Sequence, residues 1–234
     1  MHISIPQAVY ERPCRLTPTT FEADDPALQA YPRPLEWYWA TLEQSLMRLQ
    51  SQGVLLRLPI FWQLEPLVHA ACRACGIPLL INETANMPVG RIALRMTGID
   101  TVLTEARDAT AFAAHLRQHK EAVPRAWVVI HRADDEWQLP ALPSSARLEQ
   151  EVHLMPGMPI LRQCAELASR KASQFHLCEG YHIEDGLISS EFDEPAPLKD
   201  IPLSFTPVHA GVCTCGEQLW QPQQKNMPEA IDRR

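Results

Sequence analysis

The sequence is poor in glycine and carries no excess of positive charge. Its 234 residues include 9 glycines against 21 prolines, and the formal net charge is −7. Without a basic field there is no electrostatic basis for holding nucleic acid or anionic lipid, so neither is expected as a partner. No apolar run approaches the roughly 20 residues that a membrane-spanning helix needs, so no membrane association is expected. The opening stretch MHISIPQAVYERPCRL lacks the charged-then-apolar order of a secretion signal. Together with seven cysteines, this argues for a reducing, cytoplasmic setting in which cysteines serve as metal ligands or core residues. Three catalytic signatures are also missing: G-x-S-x-G, a G-x-G-x-x-G after a strand, and the phosphate-cradling G-x-x-x-x-G-K-[ST].

A chain that is 46% hydrophobic and 21% charged is ordinary for a globular protein. From residue 35 the apolar spacing alternates between two periods. Leu35, Tyr38, Trp39, Leu42, Leu46 and Leu49 fall on one helical face, with Gly53 as a terminator, and VLLRL (54–58) reads as a buried strand. Leu64, Leu67, Val68, Ala71, Cys72 and Cys75 form a second helical stripe ended by Gly76, followed by the strand IPLLI (77–81). A helix over Pro88–Met96, the strand DTVLT (100–104), a helix carrying Ala109, Phe112, Ala113 and Leu116, and the strand AWVVI (126–130) continue the series. Such alternation predicts an α/β fold with βαβ units, right-handed crossovers and a mainly parallel sheet. Past His131 the runs EVHLM, QFHLC, YHIED, GLISSEF and IPLSF predict a smaller β-rich lobe beside it. The expected organisation is an irregular segment 1–34, an α/β layer 35–131, a β-rich lobe 132–220 and a polar tail 221–234.

Chemistry concentrates in that lobe. Cys164 is followed by His176, and later by Cys213 and Cys215 in GVCTCGE. Thiolates and neutral imidazole are preferred zinc ligands, and four of them make a closed structural site. Gly211 and Gly216 flank the pair and ease a sharp turn. Cys178 or His209 could replace one of the four, and separate, unconnected thiols would explain the same composition. A disulfide between Cys213 and Cys215 is disfavoured, because residues two apart rarely meet its geometry. CRAC (72–75) has redox-motif spacing, but both cysteines fall on an apolar stripe at a helix end, which favours core packing. His153, His182, Glu179, Glu184 and Asp185 have no nucleophile beside them and read as a solvated polar face. His69 lies near a helical stripe, and His131, at a strand end, has the better claim to a cleft.

The order of these pieces resembles the phenylacetate-CoA-ligase and coenzyme F390 synthetase-like branch of the adenylate-forming ligases. PLEWYWATLEQSLMRLQSQGVLLRLPIFWQLEPLVHAACRACGIPLLI is similar to the region after that family's phosphate loop, and GRIALRMTGIDTVLTEARDATAFAAHL to its next βα unit. QCAELASRKASQFHLCEGYHIED and GVCTCGE resemble the family's cysteine–histidine segment and its C-x-C-G turn. Carried over, the resemblance implies that Cys164, His176, Cys213 and Cys215 hold zinc. Other family features are not matched. LTPTTFEADD, where the phosphate loop should lie, has no glycine and presents Asp24 and Asp25. The family's magnesium-binding acidic motif is not found near EVHLMPGMP (151–159), and its ribose-binding aspartate is replaced near Ser204. The family's mobile C-terminal domain and catalytic lysine have no counterpart here.

The expectation is therefore a non-catalytic, ligase-like protein with structural zinc and no catalytic residues, in which ATP, AMP and CoA are not bound. Its expected partners are a second copy, a complete ligase or an acyl carrier protein, with an acyl or aryl carboxylate as small ligand. The rivals are an active AMP-forming ligase with a diverged nucleotide site, and a small zinc or redox protein using Cys72, Cys75 and Cys178.

Overall fold

The computed structural model describes residues 32–57, 65–81, 98–133, 135, 137–155, 158–164, 174–190, 201–202, 205–213 and 215–223. The side chains of Leu35, Trp39 and His209 lie outside this description. So do LTPTTFEADD, the expected helix over 88–96, Ser204 and the tail from 224.

Helix α1 (Pro32–Arg48) opens on proline, whose fixed φ suits a first turn and whose missing N–H is not needed there. Tyr38, Leu42, Ser45, Leu46 and Leu49 are buried at helical spacing. The helix stops where Gln50 takes a left-handed φ of 53°. Gly53, expected to end it, does something else. A Cβ there would sit 3.0 Å from the Gly98 carbonyl oxygen, so glycine permits that backbone approach. Strand β1 (Val54–Arg57) is buried at every residue, as a strand covered on both faces must be. Helix α2 (Glu65–Ala74) buries Leu67, Val68, Ala71 and Cys72 and leads to β2 (Leu79–Ile81). Then follow β3 (Thr101–Glu105), α3 (Ala106–Gln118) and β4 (Ala126–Arg132).

The chain continues through β5 (Arg147–Met155), β6 (Met158–Gln163), β7 (Phe175–Leu177), β8 (Tyr181–Glu184), β9 (Leu187–Ser190), β10 (Ile201–Pro202), β11 (Phe205–Val212) and β12 (Gln218–Pro222). Nine strands form one sheet in the order β11-β12-β7-β6-β5-β4-β3-β1-β2. The fold is α/β, and the sheet is mixed rather than mainly parallel. The neighbours β2/β1, β1/β3, β3/β4 and β4/β5 run parallel, whereas β5/β6, β6/β7, β7/β12 and β12/β11 run antiparallel. The strands on either side of residue 131 thus share this sheet, and among the described residues β8, β9 and β10 form a separate three-stranded one. Asp185 and Gly186, both at positive φ, make the tight two-residue turn between β8 and β9.

The core has two faces. Tyr38, Leu42 and Leu46 of α1 and Val68 and Cys72 of α2 pack on Val54, Leu56, Leu103, Val128 and Ile130. Ala109, Phe112 and Leu116 of α3 pack on the opposite face, against Leu55, Val102, Trp127 and Val129. Residues of one strand alternate between these clusters because successive side chains point to opposite sides. A third cluster, with Val152, Ile160, Phe175, Tyr181 and Phe205, joins the antiparallel half to the small sheet.

Candidate metal centre

The antiparallel edge of the large sheet brings four distant residues together. Cys164 follows directly on β6, His176 is the middle residue of β7, and Cys213 follows directly on β11. Arg162 pairs with His176 across β6 and β7, and Cys164, two residues on, falls on the same face. Cys213 and Cys215 lie in the turn between β11 and β12. The Gly216 N–H donates to the Cys213 carbonyl at 2.8 Å and the Cys213 N–H donates to the Glu217 carbonyl at 3.0 Å. Gly216 holds a φ of +91°, which side chains rarely adopt, so the C-x-C-G order is what lets this turn close.

The ligand atoms of Cys164, His176, Cys213 and Cys215 all lie within 4.8 Å of one another, close enough to hold a metal ion. Cys164 Sγ is 3.2 Å from Cys213 Sγ, and Cys215 Sγ is 3.3 Å from His176 Nε2. The imidazole is oriented from behind: Nδ1–H donates to the Gln218 carbonyl at 3.2 Å, and the Glu217 carboxylate stands 3.5 Å from the same nitrogen. Such a contact fixes the tautomer that turns the Nε2 lone pair toward the sulfurs, as outer partners of metal-bound histidines do. A backbone hydrogen bond at Cys215 and the Cys164 thiol beside it lower the Cys213 pKa to about 6. Cys215 is raised: the backbone hydrogen bond at Glu217 acts downward, and partial loss of hydration with neighbouring Cys213 outweighs it. One sulfur is thereby favoured as thiolate, the ligating form. Three sulfurs and one imidazole form a donor set compatible with zinc.

Cys178 does not join this group. It lies in the third core cluster, and burial pushes its thiol well up. Cys72 and Cys75 pack in and against the first cluster, and burial raises both thiols. Glu179, His182, Glu184 and Asp185 are exposed around the β8–β9 hairpin. His153 differs from that reading. It is fully buried on β5, with Nε2 2.9 Å from Glu151 Oε2. His131 is also buried, with Nε2 3.1 Å from Gln150 Oε1 and its ring stacked on Trp137 at 3.9 Å. His69 makes a 3.5 Å pair with Glu65 one turn away.

Two features had no counterpart in the sequence reading. The first is a polar layer under α1. Arg48 binds Glu149 through Nη2 at 2.9 Å, and Arg162 reaches Ser45 Oγ at 3.2 Å and Glu151 Oε1 at 3.9 Å. The run Glu149–Gln150–Glu151, leading into the predicted strand EVHLM, was its only signal. The second is a cleft of about 650 Å³ where the β4–β5 link meets the end of α1, lined among others by Arg48, Leu139, Leu142, Ser145 and Arg147.

In sequence comparison the chain matches no protein-family model and no characterised protein. Among the described residues, no helix is long and apolar enough to cross a membrane.

Proposed function

We propose that this chain is a zinc-braced, non-catalytic relative of the phenylacetate-CoA-ligase-like adenylate-forming enzymes, acting in the cytoplasm as a binding or partner subunit in acyl or aryl acid activation. The observation that carries the reading is the convergence of Cys164, His176, Cys213 and Cys215 within 4.8 Å, the same four that the ligase resemblance assigns to zinc. The ion is structural, because four protein ligands leave no open position for water or substrate. It braces the end of β6 and the middle of β7 to the β11–β12 turn. In the cleft, apolar Leu139 and Leu142 beside Arg147 suit a carboxylate with a hydrophobic body, the ligand class this reading carries. Partners are a second copy, a complete ligase or an acyl carrier protein. ATP, AMP and CoA are not ligands.

Metal analysis of the purified chain and of Cys213→Ser tests the reading directly. One zinc per chain, lost together with thermal stability in the variant, is the expected result. A metal-free protein of undiminished stability would overturn the metal assignment. ATP–pyrophosphate exchange across a panel of acyl and aryl acids would instead establish an active ligase.

A further inference from the structure

We infer that the same four residues form a redox device, in which Cys215 receives the oxidant and Cys164 and Cys213 close as the resting disulfide. The metal-releasing consequence rests on the reading of the cluster as a zinc site, whereas the thiol chemistry stands on the geometry alone. Cys164 and Cys213 lie 49 positions apart in sequence, yet their sulfurs are 3.2 Å apart. A disulfide needs about 2.05 Å, so bond formation requires a movement of roughly 1 Å. Both residues are buried, at 4% and 7% exposure, whereas Cys215 is exposed. The three sulfurs are therefore unequal: one faces solvent, and two face each other in a small apolar cluster with Leu219.

Sequence spacing sets the order of events. Cys215, the one of the three sulfurs open to solvent, attacks a peroxide oxygen; the S–O bond forms, the O–O bond breaks, and the departing hydroxide takes up the thiol proton as water. Cys213 is two residues away and poorly placed to resolve the sulfenic acid. Cys164, with its sulfur within 4.8 Å of that of Cys215, attacks it instead, and the oxygen leaves as a second water. Cys213 then attacks the Cys164 sulfur, and Cys215 departs as thiolate by ordinary thiol–disulfide exchange. Two thiols have lost two electrons and two protons, and one peroxide has become two waters. The buried bond is shielded from casual reduction, which favours it over the exposed Cys164–Cys215 alternative.

Closing the bond removes two of the four ligands and leaves only Cys215 and His176, too few for a closed site. Zinc is released, yet the segments it braced stay linked, because the bond joins the end of β6 to the end of β11. A dithiol reductant restores the thiols.

The test uses the full chain, zinc-loaded and chelator-stripped, each treated with equimolar hydrogen peroxide. Disulfides are mapped by mass spectrometry of non-reduced peptides, and zinc is followed with a chromogenic chelator. The expected product is one Cys164–Cys213 disulfide, with stoichiometric zinc release reversed by dithiothreitol. The oxidised metal-free chain should melt about 5–10 °C above the reduced metal-free chain. Cys215→Ser, which alters an exposed residue, should slow disulfide formation at least tenfold. A final Cys164–Cys215 bond, no disulfide, or a Cys215→Ser variant oxidised at the wild-type rate would each overturn the inference. A chain that binds no zinc yet forms the Cys164–Cys213 bond defeats only the metal reading. A zinc-bound chain that forms no such bond defeats only this one.

Discussion

Glu151 Oε2 accepts a hydrogen bond from His153 Nε2 at 2.9 Å although both side chains are almost wholly excluded from water. The pair sits on one face of β5 beneath α1, with the Tyr38 ring edge-on to the imidazole at 5.0 Å and Arg162 alongside. It is the charged centre of the interface that joins the first helix to the middle of the sheet.

Burial by itself would raise the Glu151 carboxyl, but the hydrogen bond and charge of His153, with Arg162 and Tyr38, hold it below the usual carboxylate range. A depressed acid contributes stability above its unfolded pKa and loses it as pH falls through its folded pKa. Wild-type protein should therefore weaken below about pH 4, where free glutamate titrates. Glu151→Gln should lose about 3 kcal/mol at neutral pH, since it breaks a buried pair, and should show a flatter acid limb in urea titrations. A variant that retains wild-type stability and acid slope would show that the pair contributes nothing.

His131 has the same sign for a different reason. Burial lowers its pKa to about 4, against smaller upward help from Gln150. The folded state prefers neutral imidazole, so stability is full above the unfolded value near 6.5 and declines between there and pH 4. A shift of this size corresponds to about 3 kcal/mol. His131→Phe preserves a ring against Trp137 and should remove the stability loss across that window, as measured by melting at pH 7, 6 and 5.

Arg57 ends β1 almost fully buried, forked onto Asp108 in the first turn of α3, with its guanidinium 4.2 Å over the Phe112 ring. Thr104 Oγ1 donates to Asp108 Oδ2 at 3.1 Å and completes the carboxylate's shell. Arg57→Lys keeps the charge but loses the planar fork and the stacking, so it should still cost about 1–2 kcal/mol. Arg57→Ala should cost about 3 kcal/mol by leaving Asp108 unpaired. A double-mutant cycle with Asp108→Asn measures the coupling; additive losses would contradict the arrangement.

Gly216→Ala tests the turn of the proposed zinc site without touching a proposed ligand. Nothing lies within 4 Å of the Cβ that would be added, so the expected penalty comes from the φ of +91° alone. That strain is on the order of 1 kcal/mol, which corresponds to zinc affinity about fivefold weaker. Competition with a chelator dye reads it. Unchanged affinity would mean that the turn does not need this backbone conformation.

The helices α1, α2 and α3 and the strands between them were legible in the sequence because their apolar residues repeat at 3.6-residue spacing or run unbroken. The four residues of the cysteine–histidine cluster were legible from donor chemistry, although their spacing left Cys178 and His209 open. Cys178 fell away once its place in the third core cluster was visible. The layer of Glu149, Glu151, His153 and Arg162 was not legible. Polar residues in a strand read as a solvated face, and only the packing of α1 across β5 and β6 makes them interior.

The sequence by itself determined the α/β class, the core faces of its helices and which residue types could ligate a metal. These follow from local periodicity and side-chain chemistry. Tertiary structure alone decided that the sheet is mixed and continues past residue 131, that Cys164 and Cys213 meet while Cys178 does not, and that His153 is buried. Such outcomes depend on which strands become neighbours. Neighbour choice is set by long-range burial and hydrogen-bond pairing, for which no single stretch of sequence carries the signal.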